Sequence, residues 1–314
     1  YDLNVSHEYI NHLKGLGFNI INESRWLNAV TINCQRKDFG VLNSLAFIEK
    51  IKPVILFKKK KYKELKKTKE DNRNFLYGAS QDQMEQINAI EAHNLGYYGQ
   101  GVRIMYIDTG FDLSHEVFDS IQVIAEYDFI NNDNITSNET EQEFQNSQDR
   151  HGSLCLSILS GFKEGQLIGP AFKSEYLLAK TEIVEEEIEQ EEDNYIAALE
   201  WGESLGADIT VASIGYNDWY SYEDLDGNTA PITIAVDIAS NLGVLCVNSA
   251  GNSGDDEWYY VITPADADFV MSVGSVNADG VLSNFSSRGP TYDGRIKPEI
   301  CAMGSYTYCI RPET

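Results

Sequence analysis

The chain has 314 residues, 42% of them hydrophobic, which is enough to bury a sizeable core in one large domain or two unequal ones. Its formal net charge of −25 argues against nucleic acid as a partner, because nucleic acid phosphates carry the same sign. No uninterrupted apolar run reaches the roughly 18 residues that a transmembrane helix needs, so the sequence predicts no membrane span.

The charge is divided unevenly along the chain. Residues 1–70 carry 14 Lys and Arg against 7 Asp and Glu, whereas residues 71–314 carry 10 against 42. A small basic part beside a large acidic part indicates two domains that attract each other. The alternative is an acidic protein with one basic linker, because ten lysines fall between Lys50 and Lys69. Both interpretations stay open at this point.

The five cysteines show no Cys-x-x-Cys spacing, so no structural zinc site is predicted. Cys155 and Cys246 lie in apolar runs and are predicted to be small core residues rather than nucleophiles. A disulfide that closes the loop between Cys301 and Cys309 is left open.

The predicted elements divide the chain at a polar segment. Residues 1–57 predict a small α+β domain, and residues 58–74, rich in Lys, Glu, Asn and Asp, predict an exposed basic linker. Within the small domain, helices are predicted over 7–16 and 42–47, and strands over 18–21, 29–33 and 54–57.

Residues 75–314 alternate between apolar strands and helical patterns, which predicts a parallel sheet with helices on both faces. The predicted strands are 102–107, 122–129, 176–179, 209–214, 244–248 and 269–273. The predicted helices are 83–95, 151–159, 194–205 and 232–241. In such a sheet, functional side chains gather at the carboxyl ends of the strands.

Two acidic segments have a plain structural interpretation. Residues 185–193 hold seven carboxylates and are predicted to form a solvated loop whose last acids favour the start of the next helix. Residues 224–228 carry carboxylates at alternate positions, as a calcium loop does, but lack a bidentate glutamate at the right offset. We therefore favour a turn and helix cap there.

Three polar residues follow strands or open a helix in an order that predicts hydrolytic chemistry. Asp108 follows an apolar strand, so its carboxylate is expected to be partly buried and to accept the Nδ1 proton of a histidine. His151 opens a helix before Gly152, which leaves its other ring nitrogen free as a general base. Asn252 lies in a glycine-flanked turn after another strand, where its amide can donate to a developing oxyanion. Each residue alone has a common structural explanation, but the joint pattern is specific.

At these residues the chain resembles the subtilisin-like serine proteases, the subtilases (peptidase family S8), from about Tyr77 onward. The motifs that carry the resemblance are Tyr77-Gly78-Ala79-Ser80-Gln81, Ile107-Asp108-Thr109-Gly110, His151-Gly152-Ser153, Ser213-Ile214-Gly215, Ser249-Ala250-Gly251-Asn252 and Ser283–Pro290. Ser153 stands where the family has threonine. Cys155 lies one helical turn after His151, where a mercurial could modify its thiol.

The resemblance implies a three-layer α/β/α fold on a parallel sheet and a serine endopeptidase with an Asp-His-Ser mechanism. In it Asp108 orients the base, His151 acts as base and then acid, and Asn252 stabilises the oxyanion. The segment that pairs with substrate backbone and walls the specificity pocket is Ser213, Ile214 and Gly215, and the opposite wall is Ser249, Ala250 and Gly251. No cofactor is required and no metal ligand is assigned, with calcium left open. The substrates implied are proteins or peptides.

Residues 1–57 resemble the propeptide of the same family, a ferredoxin-like α+β chaperone and inhibitor whose last strand lies in the active-site cleft. The resemblance thus implies a zymogen, with residues 58–74 as the processing region. It also implies a secreted or cell-envelope location. A basic inhibitor docked on an acidic enzyme agrees with the uneven charge.

The nucleophilic serine is expected in a Gly-Thr-Ser element that does not occur before Thr314. Ser305 aligns with the loop ahead of that element and does not replace it. The catalytic domain, residues 75–314, is therefore expected to be incomplete at its carboxyl-terminal end. A parallel sheet without the helix that follows would expose core, which favours a truncated protease over one that has lost hydrolysis.

Two other classes of function are weighed against a protease. One is a catalytically silent binding module of the subtilisin fold, which would not need an intact Asp108, His151 and Asn252. The other is a nucleotide-binding α/β domain, which requires a glycine-rich strand-to-helix loop. Asp108-Thr109-Gly110-Phe111 does not provide such a loop.

Overall fold

A computed structural model describes residues 5–51, 75–185 and 187–311 of the chain. The predicted strand 54–57 and the predicted linker 58–74 lie outside these described residues. The chain divides into two compact units, Tyr1–Lys60 and Lys61–Thr314, and each is described by itself.

The amino-terminal unit contains a helix, a β-hairpin and a second short helix. α1 (His7–Gly15) buries Ile10 and Leu13, and β1 (Asn19–Ser24) pairs antiparallel with β2 (Ala29–Asn33). α2 (Phe39–Leu42) ends two residues before Ser44, whose hydroxyl donates to the carbonyl oxygen of Val41 with an oxygen–oxygen distance of 2.7 Å. Such side-chain bonds compete with helix continuation. The helix predicted over 42–47 is therefore wrong.

The carboxyl-terminal unit is built on a seven-stranded sheet. Its α-helices are α3 (Gln81–Gln86), α4 (Ala89–Asn94), α5 (Glu141–Asn146), α6 (Arg150–Ser160), α7 (Glu189–Ser204) and α8 (Pro231–Asn241). Its strands are β3 (Arg103–Asp108), β4 (Gln122–Asp128), β5 (Phe162–Lys163), β6 (Leu167–Ile168), β7 (Glu175–Lys180), β8 (Ile209–Ala212), β9 (Leu245–Ser249), β10 (Met271–Val276) and β11 (Ile300–Met303). The sheet order is β11-β10-β9-β8-β3-β7-β4 with every pair parallel, and β5 and β6 form a separate hairpin.

Helices cover both faces of this sheet, as the side chains of β3 show. Ile104 and Tyr106 pack in one cluster with Leu156 of α6. Met105 points to the opposite face, because side chains alternate along a strand. There it lies against Gly202 of α7, where an added Cβ would come within 2.3 Å of the Met105 sulfur. The predicted three-layer α/β/α arrangement is confirmed.

Two predicted helices differ from the structure in their bounds. The helix predicted over 83–95 is divided into α3 and α4 at Asn88, whose φ of 55° is left-handed and interrupts helical hydrogen bonding. The helix predicted from residue 194 begins at Glu189. Its start is capped by the buried carboxylate of Glu191, which accepts the backbone N–H groups of Ile183 and Ile188 at 2.8 and 3.0 Å. The last acids of the predicted loop, from Glu189 onward, thus belong to the first turns of α7 itself.

The structure tests the predictions made for the turn at 224–228, for the cysteines and for membrane spans. The predicted turn is present, and Asp226 Oδ1 accepts the N–H groups of Asn228 and Thr229 at 2.8 Å each. All five cysteines are free thiols, so Cys301 and Cys309 form no disulfide. Within the described ranges, no helix has both the length and the apolar character that crossing a bilayer requires.

An aromatic cluster around His93 holds the segment that precedes β3. Each nitrogen of the buried His93 ring makes one hydrogen bond. Nε2 lies 3.0 Å from the carbonyl oxygen of Pro170, and Nδ1 lies 2.7 Å from the hydroxyl of Tyr77. A carbonyl only accepts, so Nε2 carries the proton and Nδ1 accepts from Tyr77 in the neutral ring. Phe75 and Phe172 meet the ring edge-on.

Burial of His93 among these rings lowers its pKa below the ordinary value of 6.5. The folded state therefore favours neutral His93, and its contribution to stability is present above pH 6.5 and is lost as the pH falls below it. We expect the urea midpoint of unfolding to decrease across this acidic range. The decrease should be smaller in His93→Gln, whose amide can still donate and accept. Equal decreases in the two proteins would contradict the assignment.

Candidate active site

The segments singled out in the sequence meet at the carboxyl edge of the sheet. Asp108 is the last residue of β3, and residues 213–215 directly follow β8, the neighbour of β3. Residues 249–252 end and follow β9, the next strand along. In open parallel sheets this edge is where binding sites form.

Asp108 and His151 form a short, directed pair. The carboxylate of Asp108 is fully buried, and its Oδ1 lies 2.6 Å from Nδ1 of His151. The same oxygen accepts the N–H of Thr109 at 2.8 Å, which fixes its position. The His151 side chain is half exposed, so the ring faces solvent on the side away from Asp108. This hydrogen bond, followed by the thiol of Cys155, raises the pKa of His151 well above its ordinary value.

Glycines allow α6 to approach the Asp108 loop closely enough for this pair to form. A Cβ on Gly152 would lie 2.2 Å from the carbonyl oxygen of Gly110 and 3.0 Å from Cβ of Asp108. Gly110 itself has a φ of 134°, which side chains rarely tolerate. The Gly110 and Gly152 positions of the sequence motifs are therefore explained by backbone contact rather than by chemistry.

Ser153 has a positional role at the start of α6. Its hydroxyl donates to the carbonyl of Asp149 at 2.6 Å and accepts the N–H of Asp112 at 2.7 Å. It thereby ties the first turn of the helix to the loop after Asp108. The hydroxyl performs this role without the methyl group of threonine.

The two segments that the sequence predicts as pocket walls lie next to each other. The buried amide of Asn248 donates to the carbonyl of Ile214 at 2.9 Å and to that of Ser249 at 3.1 Å, so it joins one wall to the other. The turn that follows is fixed by the N–H of Ser253, which donates to Ser287 Oγ at 2.9 Å. Asn252, between these fixed points, is exposed at the sheet edge.

Residues 99–313 match the sequence model of the subtilase family, Peptidase S8. The chain belongs to the subtilase family. Residues 1–74 match the Peptidase S8 propeptide domain of Bacteroidota. The family predicted from the motifs is thus confirmed.

Known relatives of this subtilase agree with that assignment. Serine protease AprX of Bacillus subtilis is 28% identical over 68% of this chain and 48% of its own length. Subtilisin DY of Bacillus licheniformis is 26% identical over 72% of this chain and 73% of its own length. The solved CspB protease of Clostridium perfringens shares the fold with a TM-score of 0.58 at 14% identity, covering 75% of this chain and 82% of that one. The chain spans about half the length of the first curated relatives it matches.

The structure of this subtilase adds two site residues that the sequence analysis did not select. Tyr106 is buried on the same face of β3 as Asp108, and its hydroxyl lies 3.2 Å from Ser213 Oγ, which connects β3 to the first wall. Gln148 is buried beside α6, where its amide donates to the carbonyl of Thr109 and accepts the N–H of Val184. Tyr106 could have been found from the sequence, because residues two apart on a strand lie on the same face, and Asp108 follows it by two. No local pattern indicates Gln148.

Among the residues that the structure describes, two groups of side chains have a geometry that could hold a cation. Asp108, His151 and Cys155 have ligand atoms within 4.8 Å of one another, as do Asp128, Asp133 and Glu139. In the first group Oδ1 of Asp108 is already engaged by His151 and by the backbone N–H of Thr109. In the second, the ammonium of buried Lys180 lies 2.8 Å from Asp128 and supplies positive charge. Calcium binding by this subtilase remains a prediction.

Proposed function

We propose that this subtilase is a serine endopeptidase that hydrolyses protein or peptide substrates. The observation that carries the proposal is the 2.6 Å contact between the fully buried Asp108 carboxylate and the half-exposed His151 ring. That arrangement orients an imidazole toward solvent at the sheet edge where the two predicted walls meet. The nucleophile is proposed to be a serine that His151 activates.

In the proposed reaction, neutral His151 carries its proton on Nδ1, held toward Asp108, so Nε2 is free to take the proton of the serine hydroxyl. The serine oxygen then attacks the peptide carbonyl, and the carbonyl oxygen becomes an oxyanion. The exposed amide of Asn252 donates to that oxyanion. The carboxylate of Asp108 stabilises the imidazolium, which returns its proton to the amine as the carbon–nitrogen bond breaks and an acyl-enzyme remains. His151 then takes a proton from a water molecule that attacks this ester, and it returns the proton to the serine oxygen as the acid product leaves.

Fluorophosphonate labelling of the full-length protein tests this proposal. Such probes phosphonylate a serine only when a neighbouring base activates it, so one adduct per chain is expected in the intact mass. His151→Ala should remove the adduct, because the base is lost. A folded full-length protein that takes up no probe would overturn the proposal and favour the silent binding module.

We also propose that residues 1–57 act as an inhibitory propeptide and that residues 58–74 are the processing region. The match to a propeptide domain and the basic charge of residues 1–70 against the acidic remainder support this. A secreted or cell-envelope location is part of the same proposal. On incubation the linker should be cleaved, and high salt should weaken inhibition by the released segment. Full activity with an uncut linker would contradict it.

The thiol of Cys155 should make the proposed peptidase activity sensitive to mercurials. Its Sγ lies 3.7 Å from Nε2 of His151, one helical turn away. A group attached to this sulfur would occupy the space in which Nε2 meets the serine hydroxyl. We expect a mercurial to abolish peptidase activity in wild type and to have little effect on Cys155→Ala. Cys301→Ala, which removes an exposed thiol, should remain sensitive; loss of sensitivity there would contradict the assignment.

A further inference from the structure

The hydroxyl of Tyr106 lies where the first wall, residues 213–215, leaves the sheet. β3 and β8 run side by side as far as the pair of Ile107 and Ala212, and Ser213 is the next residue after that pair. Tyr106 is 3% exposed, and its hydroxyl oxygen lies 3.2 Å from Ser213 Oγ. This side-chain contact therefore joins β3 to the first wall beyond the last residue pair of the two strands.

Packing fixes the ring of Tyr106, so its hydroxyl has a defined position. The ring meets Phe111 edge-on, with ring centroids 5.9 Å apart and an interplanar angle of 83°, and it packs with Leu156 of α6. Burial raises the pKa of Tyr106 well above its ordinary value, so the phenol keeps its proton. A protonated phenol can donate to Ser213 Oγ or accept from it.

Tyr106 also adjoins the helix that carries His151. After burial, the thiol of Cys155 on α6 is the next cause of the raised pKa of Tyr106, so this thiol lies close to the phenol. The Sγ atom of Cys155 lies 3.7 Å from Nε2 of His151. The side chains of Cys155 and Tyr106 therefore follow one another from His151 Nε2 to Ser213 Oγ.

Other hydrogen bonds of the first wall and of the residue after it run in the opposite direction. The carbonyl oxygen of Ile214 accepts from the side chain of Asn248 at 2.9 Å. Tyr216 exchanges two backbone hydrogen bonds with Thr263, at 2.9 and 3.1 Å. These bonds hold the first wall against the β9 side of the site, whereas Tyr106 holds it against the side of Asp108 and His151.

We propose that Tyr106 is a positioning residue, which fixes the first wall relative to His151 through the hydroxyl of Ser213. This inference rests on the proposed peptidase function. A peptide that pairs with the first wall presents its scissile carbonyl to the site in register with His151 only if the wall keeps its distance from α6. Without the phenol oxygen, Ser213 Oγ loses this partner and the wall can shift. A displacement of about 1 Å between reacting groups costs about 100-fold in rate.

Tyr106→Phe tests the inference in the full-length enzyme, because it removes one oxygen atom and keeps the packed ring. With a peptide long enough to pair with the first wall, kcat is expected to fall by about 10–100-fold. The rate of fluorophosphonate labelling should fall far less, because that small probe reacts at the serine without binding along the wall. A general loss of structure would lower both rates together.

Tyr176→Phe is the matched control. Tyr176 is fully buried on the neighbouring strand β7, and its hydroxyl donates to the carbonyl oxygen of Ala171 at 2.8 Å, near the start of the strand rather than at its carboxyl end. Its kcat should equal that of wild type. Ser213→Ala removes the other half of the contact and should lower kcat as Tyr106→Phe does. The double variant should be hardly slower than either single one, because both changes break the same contact.

The outcomes separate this inference from the proposed function. If wild type takes up no fluorophosphonate and cleaves no peptide, the proposed function fails. If wild type is active and Tyr106→Phe keeps the wild-type kcat, the positioning role is wrong. It is also wrong if Tyr176→Phe loses as much, if labelling falls as far as peptide cleavage, or if the losses of the two single variants add. Should Tyr106→Phe not fold, an unchanged kcat in Ser213→Ala would overturn the role, and a lower kcat with labelling retained would support it.

Discussion

Replacing Asp108 with asparagine is expected to lower kcat of the full-length protein by about 10⁴-fold, the size of the effect in serine proteases with this pair. The geometry gives the reason. Oδ1 accepts from two donors, Nδ1 of His151 and the N–H of Thr109. An asparagine that presents its NH₂ to these donors repels both and favours the wrong tautomer of His151.

The other orientation of the asparagine does not rescue the site. With its carbonyl toward His151, the NH₂ group would occupy the position of Oδ2, which is buried and has no hydrogen-bond partner among the described residues. A buried amide without an acceptor costs about 1–3 kcal/mol, and the negative charge that stabilises imidazolium is lost in either case. In both orientations of the asparagine, His151 is therefore expected to be a poor catalytic base.

The pH profile distinguishes this role from a general loss of structure. The hydrogen bond to Asp108 raises the pKa of His151, and catalysis needs the neutral ring, so this bond is expected to move the acid limb of kcat/KM to higher pH. In Asp108→Asn the acid limb of kcat/KM should move to lower pH. Asp112→Asn, the same change four residues later, should alter neither rate nor profile. A normal rate in Asp108→Asn would contradict the mechanism.

Replacing Asn252 with alanine is expected to lower kcat by about 10²–10³-fold, the loss known for one oxyanion donor in subtilisin itself. The oxyanion exists only during reaction, so KM should change little while kcat falls. The exposed position of Asn252, in a turn fixed by the contact of Ser253 with Ser287, predicts little effect on folding.

Ser253→Ala is the matched control for Asn252→Ala. It removes a neighbouring polar side chain but leaves the backbone N–H that binds Ser287 Oγ. Its kcat should stay close to that of wild type. If Asn252→Ala raised KM and left kcat unchanged, Asn252 would bind the ground state rather than the oxyanion, and its assignment would be wrong.

Most strands could be predicted because their signal is local. Residues 102–107 and 29–33 are short apolar runs between turn residues, and the structure places β3 and β2 there with bounds shifted by one residue or none. β11 was missed because Ile300–Met303 is an apolar run of four residues, too short for its pattern to distinguish a strand from a helix. Its place at the edge of the sheet comes from pairing with β10. The early start of α7 was missed for another reason. Glu191 is buried and accepts the N–H groups of Ile183 and Ile188, eight and three residues upstream. From composition alone, a glutamate in so acidic a segment is predicted to be solvated.

The sequence by itself determined the family and the order in which the central strands follow one another along the chain. It also determined the candidate catalytic residues, Asp108, His151 and Asn252. It could do so because strand ends, helix starts and glycine-flanked turns are written in neighbouring residues. Only the tertiary structure decided that Asp108 and His151, 43 residues apart, lie 2.6 Å from each other. It also decided that Gly152 of α6 lies against the backbone of Gly110. Such contacts depend on how the parallel strands are ordered and on how closely glycines let backbones approach, and no local pattern encodes either.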